Sequence, residues 1–201
     1  MTLVFNASPL LVLAKAGLLD RLLPLGDEIW IPSAVASEVS AGTDPDDPAS
    51  RWIETQPSII HPPTTISPFV MAWDLGAGES AVISLTDKNS HAIAVLDDSA
   101  ARRCAQAMGL RIIGTLGLVL MAKQAGIIPS ASRALDAIVA AGLFISRHHL
   151  ETIKKKLASN WMNTLFVVFP RGSRNYNPRF FPLSPKVISR CGVYPPALSI
   201  S

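Results

Sequence analysis

Short apolar runs alternate with longer stretches of helical periodicity along most of this chain, and that alternation limits its folds more than any other feature. Residues 2–6, Glu28–Ile31, HAIAVL (91–96) and RIIG (111–114) have the length and content of buried strands. Between them lie helical patterns: Ser8 to about Leu23 with a break at Gly17, Pro32 to about Ser40, GESAVISLTDK (78–88) and SAARRCAQAMG (99–109). LGLVLMAKQAG (116–126) follows RIIG, with further helices expected at about 130–141 and 147–157. Strands separated by helices cannot close as hairpins. They build a mostly parallel sheet covered on both faces, a three-layer α/β/α sandwich.

Two segments fit less regular structure. AGTDPDDPAS (41–50) reads as a turn-rich loop and PPTTISP (62–68) as a linker-like excursion. RWIETQ is expected to be a short helix and PSIIH an extended segment. Nothing repeats internally, and GAG at 76–78 is not a dinucleotide-binding fingerprint.

At 201 residues and 49% hydrophobic, the chain suffices for one well-buried domain. Its net charge of +3 conceals a split. Residues 1–151 hold all 15 acids and 10 Lys and Arg, for −5, whereas residues 152–201 hold eight Lys and Arg and no acid. The basic character belongs to the tail, so the main body is not a basic nucleic-acid binder. The domain is expected over residues 1–157. Residues 158–201, with six prolines and the apolar patch LFVVF, are expected to be a disordered or docking tail. Cys104 and Cys191 make no metal or redox spacing, and no long apolar run suggests a membrane span. A cytoplasmic location is expected.

In a parallel sheet, ligands bind beyond the carboxyl ends of the strands. Asn6 ends the first apolar run, and Asp97 and Asp98 end HAIAVL. Glu38 shares a helix stripe with Ala34 and Val35, and Glu79 shares one with Val82 and Ile83. Carboxylates beside a core are costly unless paired, and several at one sheet edge suit Mg²⁺ or Mn²⁺. Each also has a structural reading. Asp98 or Ser99 can cap the helix that follows, Glu79 can complement a helix dipole, and Asn6 can bond the turn after its strand. His148 and His149, adjacent on a helix, point about 100° apart and make no ligand pair.

The stretches VFNASPLLVLAKAGLL, IPSAVASEV, GAGESAVISLTDK and VLDDSAARRCAQAMGLRIIGTLGLVLMAKQAGIIP together resemble the PIN-domain family over about residues 2–157. The likeness is to its small prokaryotic branch, related to VapC-type toxin ribonucleases. The resemblance implies a metal-dependent ribonuclease, the toxin of a toxin–antitoxin pair, with RNA as substrate, an antitoxin protein as partner and a tendency to form homodimers. It places catalytic acids at Glu38, Glu79 and Asp97, and Mg²⁺ or Mn²⁺ ligands at Asn6, Glu38, Glu79, Asp97 and Asp98. Weaker substrate contacts fall at Ser8, Arg102, Arg103 and Thr115. The family usually has Asp where this chain has Asn6. An amide can ligate a cation but does not neutralise it, which raises a rival expectation of an inactive RNA- or protein-binding module. Receiver domains and haloacid-dehalogenase phosphatases fit less well, since both need an Asp nucleophile at that position.

Overall fold

The computed structural model describes residues 1–42, 44 and 46–158. The tail expected over 158–201 lies, beyond Ala158, outside the described residues. The chain runs through β1 (Thr2–Phe5), α1 (Ala7–Lys15), α2 (Leu19–Leu22), β2 (Glu28–Pro32), α3 (Ser33–Ser40), α4 (Pro48–Glu54) and β3 (Ile60–His61). It continues through α5 (Pro68–Met71), α6 (Ala77–Asp87), β4 (Ala92–Val95), α7 (Ser99–Ala107), β5 (Ile112–Ile113), α8 (Thr115–Gln124), α9 (Ala131–Ala140) and α10 (Arg147–Ala158).

The strands form one sheet in the order β3-β2-β1-β4-β5, and every pairing is parallel. Every residue of β1 and β4 is buried. Side chains alternate between the faces of a strand, so full burial means both faces are covered. This is the α/β/α sandwich that the alternating pattern requires. From β1 the chain steps outward to β2 and β3; it then returns past β1 to β4 and steps the other way to β5. The direction reverses between β1 and β4, so a crevice opens beyond their carboxyl ends. Phe5 pairs with Val95 at that edge, which brings Asn6 and Leu96 side by side just past the sheet.

Local chemistry sets the boundaries. The break at Gly17 is a left-handed residue, φ 64°, that ends α1 and turns the chain toward α2. Pro32 is the last residue of β2, paired with His61, and α3 begins one residue later than the sequence suggests. Pairing with β1 ends at Trp30, so that neighbour asks no N–H of the proline. Two helical starts lie inside segments expected to be irregular. Asp47 Oδ1 accepts the Ala49 N–H at 2.8 Å and Pro48 follows at the first position, so α4 starts within the 41–50 loop. Ser67 Oγ accepts the Val70 N–H at 3.3 Å and starts α5 at the end of the 62–68 excursion. No helix among the described residues is long and apolar enough to cross a membrane.

Candidate functional site

Asn6 stands one residue past β1, with its backbone N–H on the Val95 carbonyl of β4 at 3.2 Å. It occupies the N-cap position of α1, yet its side chain makes no cap hydrogen bond. Nδ2 instead donates to Glu79 Oε1, 3.1 Å away and 73 residues along the chain. That explains the amide: an aspartate here would set two like charges together where the amide supplies a donor. Oδ1 is buried and has no hydrogen-bond partner, although Asn6 as a whole is only 2% exposed. An orphaned buried acceptor costs about 1–3 kcal/mol, so it needs an explanation.

Gly78 supplies the space around that oxygen. A Cβ there would lie 3.1 Å from Asn6 Oδ1 and 2.5 Å from Glu38 Oε2. The bare glycine thus lets the amide oxygen from β1 and the carboxylate from α3 face the same gap at the start of α6. Glu79, one residue on, lies half-buried in the first turn of α6. Its Oε2 folds back over Gly76, where a Cβ would also collide. Partial burial pushes the Glu38 carboxyl above its ordinary range, and the negative charge of Glu79 adds to the rise. Among the described residues no cationic side chain forms an ion pair with either acid.

Asp97 is handled differently. Its Oδ1 accepts the Thr115 backbone N–H at 2.8 Å and its Oδ2 accepts the Thr115 hydroxyl at 2.6 Å. Thr115, fully buried, is the first residue of α8. Both oxygens of Asp97 therefore tie the end of β4 to the helix after β5. Arg102 bends back to the Leu96 carbonyl at 2.9 Å and lies beside Gly114 with Asp97, while Arg103 is exposed on α7. Asp98 takes the capping role: its Oδ1 accepts the N–H groups of Ala100 and Ala101, each at 2.8 Å. Ser8 is exposed in the first turn of α1.

The sequence-predicted residues thus share one edge but form two groups. Asn6, Glu38 and Glu79 converge at Gly78, and Asp97, Thr115 and Arg102 gather at Gly114. Among the described residues no three His, Cys, Asp or Glu side chains come together as a metal site. The third donor of the first group is the Asn6 amide oxygen. Two carboxylates and one carbonyl-type oxygen suit a hard cation such as Mg²⁺, which keeps several waters and is held through one or two carboxylates. The donor set fits one such ion. No sequence signal marks Gly78 as a spacer; GAGE reads only as a helix entry. His61 serves structure, its ring 4.3 Å from that of Trp30, and burial lowers its pKa.

A family model described as a PIN domain matches residues 2–159. No curated protein and no solved structure matches the chain. The two-way parallel sheet, the acids along its carboxyl edge and this match over most of the length agree: the chain belongs to the PIN-domain family, whose fold is of the nuclease type.

Proposed function

We propose that this protein is a divalent-metal-dependent endoribonuclease, the toxin of a cytoplasmic toxin–antitoxin pair, with residues 1–157 as its catalytic domain. The observation that carries the reading is the buried, unpartnered Asn6 Oδ1 facing Glu38 across Gly78, with Glu79 held beside it. The binding free energy of a cation would offset an orphan acceptor and two like charges that no cationic side chain among the described residues neutralises.

Asn6 Oδ1, Glu38 and Glu79 would hold Mg²⁺ or Mn²⁺. The chemistry supplied by such an ion, when bound, is a more acidic water and charge neutralisation at the phosphate. The Asn6 amide group keeps Glu79 turned toward the site. Asp97, fixed in orientation by both donors of Thr115, would align the attacking water from the same sheet edge. Arg103, exposed on α7, offers a cation to the RNA backbone. The proposed partners are an RNA substrate, an antitoxin protein and a second copy of the chain. One observation favours a second reading, a module that binds without cutting: Asn6 leaves the site one negative charge short of the family pattern.

Cleavage of a mixed RNA pool in Mg²⁺ or Mn²⁺ tests the proposal. Loss of even an outer-shell partner of a metal ligand typically costs 10–100-fold, so Glu79→Gln is expected to lose more than about 100-fold. EDTA is expected to abolish cutting. A silent wild-type protein that also shows no divalent-cation binding by calorimetry at millimolar concentration would overturn the nuclease reading.

A further inference from the structure

Beside the carboxylates lies a groove of about 570 Å³, within the roughly 300–1,000 Å³ of small-molecule sites. It opens past the carboxyl end of β2, one strand over from Asn6, on the sheet edge that carries the candidate site. Its walls come from α3 and α6, the helices that carry Glu38 and Glu79. Ser37 precedes Glu38 in the chain, and Ala77 and Ser80 bracket Gly78 and Glu79, so the groove lies on the neighbouring face of both helices and the acids themselves do not line it. The outer wall is the 62–68 excursion, pinned where Lys88 Nζ donates to Thr64 Oγ1.

The lining decides the ligand class. Pro32, Ile66, Met71 and Leu75 give apolar faces, and Ser33, Ser37 and Ser80 give hydroxyls. Among the described residues no Lys, Arg or His lines it, so it does not suit a phosphate, and the one charged lining residue is Asp74, an exposed acceptor whose backbone sits at φ 50°, a conformation Asp tolerates. Apolar walls with a few hydroxyls and one carboxylate match a flat heterocycle bearing an amino group. They match neither a sugar-phosphate nor a long aliphatic chain.

Resting on the nuclease reading, we propose that this groove is a nucleobase subsite: it takes one unstacked base of single-stranded RNA next to the scissile phosphate, and Asp74 accepts from that base's exocyclic amine. Such recognition needs a splayed base, so the substrate class is unpaired RNA. An acceptor carboxylate favours bases that carry an amino group over uracil.

The test has two arms, both with the full chain. Cut sites in a random-sequence RNA are mapped for wild type and Asp74→Asn, which keeps a residue tolerant of positive φ. Wild type is expected to disfavour uracil at one nucleotide flanking the cut, and the variant to relax that preference about tenfold. No preference in the wild type, or the same one in both, overturns the subsite. The second arm needs no cutting. Short RNAs carrying 2-aminopurine are titrated in EDTA, and the fluorescence rise of an unstacked base is read for wild type and for Ser37→Leu, which fills the groove from an exposed position. Losing the burial of one base should weaken binding about tenfold or more. If no RNA is cut and no divalent cation binds, but this loss is seen, the nuclease reading fails while the subsite stands. Equal binding by both proteins overturns the subsite, as does protection of the groove by a polypeptide partner with RNA binding unchanged.

Discussion

Two acids on one sheet edge are treated in opposite ways. Asp97 has a donor on each oxygen, both from Thr115, and sews β4 to α8. Among the described residues Glu38 has no such partner; its carboxyl is pushed up by burial and by Glu79, and it faces a buried amide oxygen that accepts nothing. A fold that needed only stability would give that buried amide oxygen a donor. The satisfied acid holds the edge in shape; on the proposed reading, the amide oxygen and the two glutamates keep a place for a cation. Strained or unsatisfied groups persist where function requires them and the rest of the structure carries their cost.

The largest expected break in that contrast comes at Asn6. Asn6→Asp removes the donor to Glu79 and adds a third carboxylate with no cation beside it. An unpaired buried charge costs about 3 kcal/mol or more, so urea unfolding in EDTA should show a loss of that order. Millimolar Mg²⁺ should restore much of it, and the shift between EDTA and Mg²⁺ should exceed that of the wild type. Equal stability of the two proteins in EDTA would mean that the amide is not what keeps Glu79 in place.

The satisfied side should respond otherwise. Asp97→Ala strips both acceptors from Thr115 and leaves its buried N–H unpaired. Hydrogen bonds to a charged group contribute about 1.5–3 kcal/mol, so a loss of about 2 kcal/mol is expected. Because Asp97 is spent on Thr115, the loss should be the same in EDTA and in Mg²⁺. A loss that Mg²⁺ changes would move Asp97 into the cation's own donor set. Cleavage should fall in this variant too, through the water it aligns.

The sheet and its edge were legible in the sequence, and the division of labour along the edge was not. HAIAVL, LVF and RIIG announce strands because burial on both faces demands continuous apolar runs, and the helices between them force parallel pairing. That was enough to put Asn6, Glu38, Glu79 and Asp97 at one end. It could not say which way a carboxylate turns. Asn6 and Glu79 are 73 residues apart, and only the packing of α6 across β1 joins them. The capping role of Asp98 was foreseeable from its place before SAARRC, since a helix start wants such an acceptor. Gly78 was not, because its purpose is an empty volume, and only its neighbours define that. The starts of α4 and α5 were missed for a related reason: Asp47 and Ser67 sit in runs rich in Pro, Asp, Ser and Thr, where caps and turns use the same residues.

The smallest expected effect is the most direct reading of frustration. The folded Glu38 carboxyl titrates above its unfolded value, because burial and then Glu79 disfavour its charged form. Below the unfolded range, about pH 4, the group is protonated in both states and contributes nothing. As pH rises through the raised value, the folded state alone bears a penalty, which persists at neutral pH. Glu38→Gln should therefore raise the melting temperature at pH 7 in EDTA and leave it unchanged near pH 3.5. The gain should stay under about 1 kcal/mol, because Glu38 is largely in solvent, which screens its neighbour's charge. Adding Mg²⁺ should invert the order, since the wild type gains from the cation and the glutamine variant loses a ligand for it. A glutamine variant that is less stable at neutral pH, with or without Mg²⁺, would show that Glu38 is a structural acid like Asp97, and the contrast between the two halves of the edge would be gone.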